Sequence, residues 1–151
     1  MTLRWLLAAI HLLALGIGLG AVWVRGSVLQ GQLDKERLNS LFLADTYWGV
    51  AAVLWIVTGL LRAFAGFEKG TEYYLNNGAF LIKMALLLLI LALEVWPMIT
   101  LIQWRMRARR GDPIDNTRAP AMARISRIQA VLVILMVLAA TAMARGLGGQ
   151  I

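Results

Sequence analysis

His11, Lys83 and Glu94 are the residues whose types and settings could do chemistry in this chain, and His11 is its only histidine. Each lies inside an apolar run long enough to cross a bilayer. His11 sits in Trp5-Leu-Leu-Ala-Ala-Ile-His11-Leu-Leu-Ala-Leu-Gly16, and Lys83 and Glu94 sit in the run from Ala79 to Ile102. Ionisable groups are costly in hydrocarbon, so they face a bundle interior, a cavity or a bound group. An imidazole in such a place can ligate a metal or pass a proton. A lysine can hold an anion, and a lone carboxylate such as Glu94 is a common site of proton coupling. Arg62 and Asp45, near the two ends of another apolar run, join the set.

The elements that must position these groups follow from composition. The chain is 60% hydrophobic with a mean hydropathy of +0.72, too apolar for an ordinary soluble core. A bilayer core of about 30 Å requires about 20 helical residues. Four stretches qualify, at about residues 3–24, 43–65, 79–102 and 125–144. They lack the alternation of a membrane barrel, and an open sheet would leave its backbone unsatisfied in lipid. The expected fold is all-α: a four-helix transmembrane bundle forming a single integral membrane domain over residues 1–151. The first apolar run is longer than a signal peptide's, and no Ala-x-Ala site follows, so it reads as a retained span.

The net charge of +7 would suggest nucleic acid in a soluble chain. Here the basic residues flank the spans, which points to topology and anionic lipid instead, and no nucleic-acid partner is expected. Arg25, Lys35 and Arg37, with the arginines between 105 and 127, lie on one side; Arg4, Arg62, Lys69 and Arg145 lie on the other. The positive-inside rule then puts both termini on the outer, periplasmic side of a bacterial inner membrane. Asp112, Pro113, Asp115, Asn116 and Pro120 read as turn chemistry. Tyr73 and Tyr74 suit the outer interface. Residues 26–41 read as a helical extension of the first span or as an amphipathic helix on the inner surface. The chain has no cysteine, which excludes disulfides, thiolate metal sites and iron–sulfur clusters.

Helix geometry sorts the candidates by depth. With a rise of about 1.5 Å per residue, His11 and Lys83 come to a similar level in the outer half, and Arg62 approaches it from the second span. Glu94 is about 16 Å deeper than Lys83 and about 20° off its face. Asp45, Trp48, Trp55, Gly59 and Arg62 form one sloping stripe on the second span; His11, Gly18, Val22 and Arg25 share a face of the first. Pro97 favours a kink beside Glu94. Gly16 and Gly20 form a small-xxx-small pair that invites close helix approach, and a homo-oligomer is expected. The fourth span, with Gln129 and Thr141, reads as packing. Met84 and Met143 lack any spacing that would make them ligands.

Leu-Ala-Asp45-Thr-Tyr-Trp48-Gly49, Thr58-Gly59-Leu-Leu-Arg62 and Tyr73-Tyr74-Leu-Asn76-Asn77-Gly78-Ala-Phe80-Leu-Ile-Lys83 resemble the membrane family called domain of unknown function 2214. That resemblance covers nearly the whole chain. A more distant similarity is to the HemJ-type protoporphyrinogen oxidases and the CopD-type membrane proteins. HemJ proteins are four-span chains associated with haem b, with a functional histidine in the first span and a functional lysine in the third. His11 and Lys83 match these in type and order. The HemJ proline-arginine after the first span is replaced here by Trp23-Val24-Arg25-Gly26, and its tryptophan before the lysine is missing.

The resemblance implies a haem- or porphyrin-binding redox protein, an oxidoreductase of HemJ type. His11 would be the axial ligand to haem iron. Lys83 and Arg62 would meet propionates, or Lys83 would ligate from the opposite side, and Trp48, Trp55 and Phe80 would line an apolar slot. Two other readings stand beside it. One is a small proton-coupled transporter using Glu94, with Asp45 as a second proton-handling group. The other is a structural or accessory membrane subunit, which predicts a packed interior with no cavity joining His11 to Lys83.

Overall fold

A computed structural model describes residues 2–65 and 76–146. Lys69, Tyr73 and Tyr74 lie outside the described residues. Among the described residues the regular structure is four α-helices: α1 Thr2–Val28, α2 Lys35–Phe64, α3 Gly78–Arg110 and α4 Ala119–Ala144. All four are long and apolar enough to span a bilayer, and only 22–33% of each apolar window faces the interior. The remaining leucines, isoleucines and valines point outward, where lipid covers them.

Each helix outruns the span read from hydropathy, because polar turns continue it past the hydrocarbon. Residues 35–41 are the start of α2, neither an extension of α1 nor a helix lying on the surface. Asp34 caps this start by accepting from the backbone N–H of Arg37 at 2.9 Å. Leu29, Leu41, Leu101, Trp104 and Met122 are buried together at this end, with Leu33 and Leu38 against them. That apolar cluster draws the α1–α2 connection under the bundle. Asn77 caps α3 in the same way, accepting from the N–H of Phe80 at 3.1 Å, and Gly111 closes α3 in the left-handed conformation at φ 75°. Pro97 is buried inside α3, which runs on through it.

Exposed Trp5 and Trp23 mark two interfaces on α1, about 27 Å apart along the axis. This matches the hydrocarbon thickness and leaves the Leu29–Leu41 cluster beyond it. Backbones pack closely between α1 and α2, α1 and α4, and α3 and α4. α2 and α3 stand further apart, and side chains fill the space between them. The central core joins Ala14, Val22, Trp48, Trp55, Ile90, Val133 and Met136. Gly26 permits the α1–α4 approach, since a Cβ there would lie 3.2 Å from the Ser126 Cβ. Gly16 and Gly20 face outward with nothing within 4 Å, so they serve no contact inside the bundle.

Candidate functional site

The bundle carries two polar levels separated by the central core. The first is a cleft at the end holding the chain termini. His11 is buried on α1, and its Nδ1 lies 2.9 Å from the Thr58 hydroxyl on α2. That hydroxyl lies 2.7 Å from the carbonyl of Leu54, one turn back. A hydroxyl has one hydrogen, and Thr58 spends it on Leu54. The hydroxyl oxygen is thereby left to accept from an Nδ1–H of His11. The imidazole leans on the Trp55 ring, with centroids 5.8 Å apart. It also covers Gly59, where a Cβ would come 3.1 Å from Cε1. Any side chain larger than hydrogen at 59 would push the ring.

From His11 the cleft extends across all four helices. Trp55, Gly59, Arg62 and Ala63 line it from α2, Phe80 and Lys83 from α3, and Met136 and Met143 from α4. Its volume is about 460 Å³, within the range typical of small-molecule sites. A narrower branch of about 40 Å³ runs between α2 and α3 toward lipid, past Leu60, Phe64, Met84 and Leu87. The cleft exists because α4 buries nothing beyond Met136, so its last two turns leave the interior open. The indole Nε1 of Trp55 is buried and has no hydrogen-bond partner among the described residues.

The second level lies about 21 Å along α1, fourteen residues after His11. Arg25 has 0% exposure there and binds all the other helices. It donates to Glu94 at 2.7 and 2.8 Å, to Asp45 at 3.1 Å, to Ser126 at 3.0 Å and to Gln129 at 2.8 Å. Gln129 in turn donates to Glu94 at 2.8 Å and to the carbonyl of Ile90 at 3.2 Å. Arg105 completes the set, reaching the other Asp45 oxygen at 2.9 Å and the carbonyl of Phe42 at 2.6 Å. Two cations thus face two carboxylates, and the Arg25 guanidinium lies 5.8 Å from the Trp48 ring centre. Paired and hydrogen-bonded in this way, the charges are tolerable away from water.

Of the residues singled out from sequence, His11, Lys83, Arg62, Trp55 and Phe80 border one cleft. Trp48 is not among them; it packs beside Arg25 and Gly18, seven residues below Trp55. Glu94 and Asp45 belong to the Arg25 level, each bound to an arginine. The fourth helix contributes chemistry as well as packing, through Ser126 and Gln129. Ser126 and Thr58 are the positions that sequence reading passes over; for Arg25 the sequence already allows a pairing with Glu94, and for Asp45 one with an inner arginine, and both form. A basic residue closing an apolar run looks like an interface anchor. The signal against that reading is depth: Asp45, Glu94 and Gln129 all reach the level of Arg25 from the other three helices.

The chain belongs to the family described as "Predicted membrane protein (DUF2214)", whose model matches residues 3–148. No curated protein and no solved structure matches the chain.

Proposed function

We propose that the cleft binds an acidic ligand with a broad apolar body, with haem b as the specific candidate, making this a redox protein on a HemJ-like scaffold. The observation that supports it is the shared cleft: His11 and Lys83, from different helices, border one space together with the Trp55 ring.

The residues fit such a group. The Nδ1 proton of His11 is held by Thr58, the outer-shell arrangement that orients metal-bound imidazoles through Nε2. Lys83 and Arg62 supply cations for propionates. Phe80 and Trp55 provide apolar walls, and Met136, Met84 and Met143 are thioethers on the same lining. Bound haem would supply one-electron chemistry, with its potential set by the axial ligands and burial. The polypeptide's own part is to orient the imidazole, neutralise the acid groups and exclude water.

The charge distribution supports a placement in the bacterial inner membrane with both termini outward. Purification with haem supplied, followed by absorption spectroscopy, tests the reading. A Soret band that shifts or vanishes in His11→Ala is expected; no band, or one indifferent to that change, defeats it.

A second reading, carriage of the same ligand coupled to protons, draws on the one-ended opening. Among the described residues the cleft reaches toward the terminal end, and the core and the Arg25 level close the other. Glu94 would then have to exchange its arginine for a proton. A structural subunit alone predicts a filled space between His11 and Lys83, and the cleft ranks binding above it.

A further inference from the structure

The cleft has two mouths of different chemistry. One lies at the terminal end, bordered by Arg62, Thr141 and Ala8. The other is the branch between α2 and α3, bordered by Leu60, Phe64, Met84 and Leu87. Leu60 and Phe64 are 45% and 43% exposed on a surface that lipid covers. The second mouth therefore opens into hydrocarbon. It exists because α2 and α3 are the neighbours whose backbones do not close on each other, so that only side chains, the Phe64–Phe80 ring pair among them, stand across it. Its border is of flexible or rotatable side chains, and methionine in particular repacks at small cost. Lys83 stands where the two mouths join, since it lines both branches together with His11, Trp55 and Phe80.

We propose that this lateral mouth admits a membrane-dissolved carboxylic acid from the bilayer, its apolar body passing between α2 and α3 and its carboxylate coming to rest at Lys83 and Arg62. This rests on the cationic cleft of the preceding reading, not on iron. The argument is one of matched solvents. An apolar body that travels from lipid to cleft through the α2–α3 branch never crosses water, and its acid group stays on the side nearer the interface. The terminal mouth would require the apolar body to leave the membrane first, at about 0.8 kcal/mol for each exposed methylene.

The test uses the absence of native cysteine. The full-length double variant Leu60→Cys, Met84→Cys is reconstituted in phosphatidylcholine vesicles and closed with a reducible bis-maleimide. The probe is a stearic acid carrying a mid-chain diazirine, dissolved in the vesicle lipid, with adducts mapped by mass spectrometry. The open protein is expected to label at Trp55 and Met136. Closure should cut that labelling at least tenfold, and reduction of the linker should restore it in the same sample. Thr141→Trp, at the other mouth, should leave labelling in place, and the probe's methyl ester should label at least tenfold less.

Labelling confined to outward residues such as Leu88 overturns the inference. So does cleft labelling that survives closure of Leu60 to Met84 but stops in Thr141→Trp, which would mean entry from water. A missing Soret band with intact fatty-acid labelling would remove haem and leave lateral entry standing. Haem uptake indifferent to closure would do the reverse.

Discussion

Arg25 grips Glu94 at two points, Nη1 to Oε1 at 2.7 Å and Nη2 to Oε2 at 2.8 Å, inside a bundle that leaves the arginine no exposure. Both partners come from helices that sequence places far apart, and neither charge could stay buried between the helices without the other. Asp45 and Arg105 repeat the pairing on the flank, so the level is balanced as a unit. Its physical role is to fix the depth and rotation of all four helices at the end away from the cleft.

Arg25→Met should therefore be among the most damaging single changes in the chain. It leaves Glu94 without its arginine in a dry setting, and breaking such a pair costs about 3–5 kcal/mol. The double variant Arg25→Met, Glu94→Leu should recover much of that loss, because Asp45 keeps Arg105. Thermal unfolding in detergent reads both. If the double variant is as unstable as the sum of the two single changes, the two residues are not coupled as argued.

Gln129→Leu probes the same level without altering charge. Its amide accepts from Arg25 and donates to Glu94 and to the Ile90 carbonyl, so its loss strips contacts from both members of the pair. A destabilisation of about 1–3 kcal/mol is expected. Thr141→Val, on the same helix but exposed, should stay within about 0.5 kcal/mol.

How much of this was legible in the sequence depends on which physical signal each residue carries. The four helices were, because length and hydropathy are averages over about twenty residues. The common depth of His11 and Lys83 was too, because helical rise is regular and depth can be counted from the ends of the runs; that they border one space was not, because depth does not say which way a helix faces. Thr58 was not: a hydroxyl in a span usually bonds its own preceding turn, as this one also does. Arg25 is legible in part: its place at an inner helix end marks topology and also allows the pairing with Glu94, but not its reach to Ser126 and Gln129. The Gly16–Gly20 pair showed only that a helix can come close, not that one does.

That pair yields a contrast with Gly26. Gly26→Val must push Ser126, 3.2 Å from the first added carbon, and should cost about 1–3 kcal/mol. Gly16→Leu and Gly20→Leu meet nothing within the chain and should leave its unfolding temperature unchanged. If copies of the chain associate through that face, the same two changes weaken self-association in analytical ultracentrifugation. Lowered stability of the lone chain would contradict the outward placement.

Thr58→Val separates positioning of the imidazole from its presence. It removes the acceptor that holds the His11 Nδ1 proton while keeping the shape. With haem as ligand, affinity should fall about 10–100-fold and the Soret position should move, whereas Thr58→Ser should restore both. An unchanged spectrum in Thr58→Val would mean that the hydroxyl does not orient the ligand nitrogen.

Trp55→Phe gives the sharpest division between a binding cleft and a packing void. The indole N–H is buried with no acceptor among the described residues, so the ligand-free protein loses no hydrogen bond when it is removed. Its stability should fall only by the smaller ring's lost packing, about 1 kcal/mol. Binding of an acidic ligand behaves differently. The ring lines the cleft beside His11, so shrinking it should loosen ligand contact and lower affinity about 10-fold while the fold stands. Titration of the purified variant with haem, and with the stearate probe, measures this directly. Loss of stability without loss of affinity would make Trp55 a wall of the core with no part in holding the ligand.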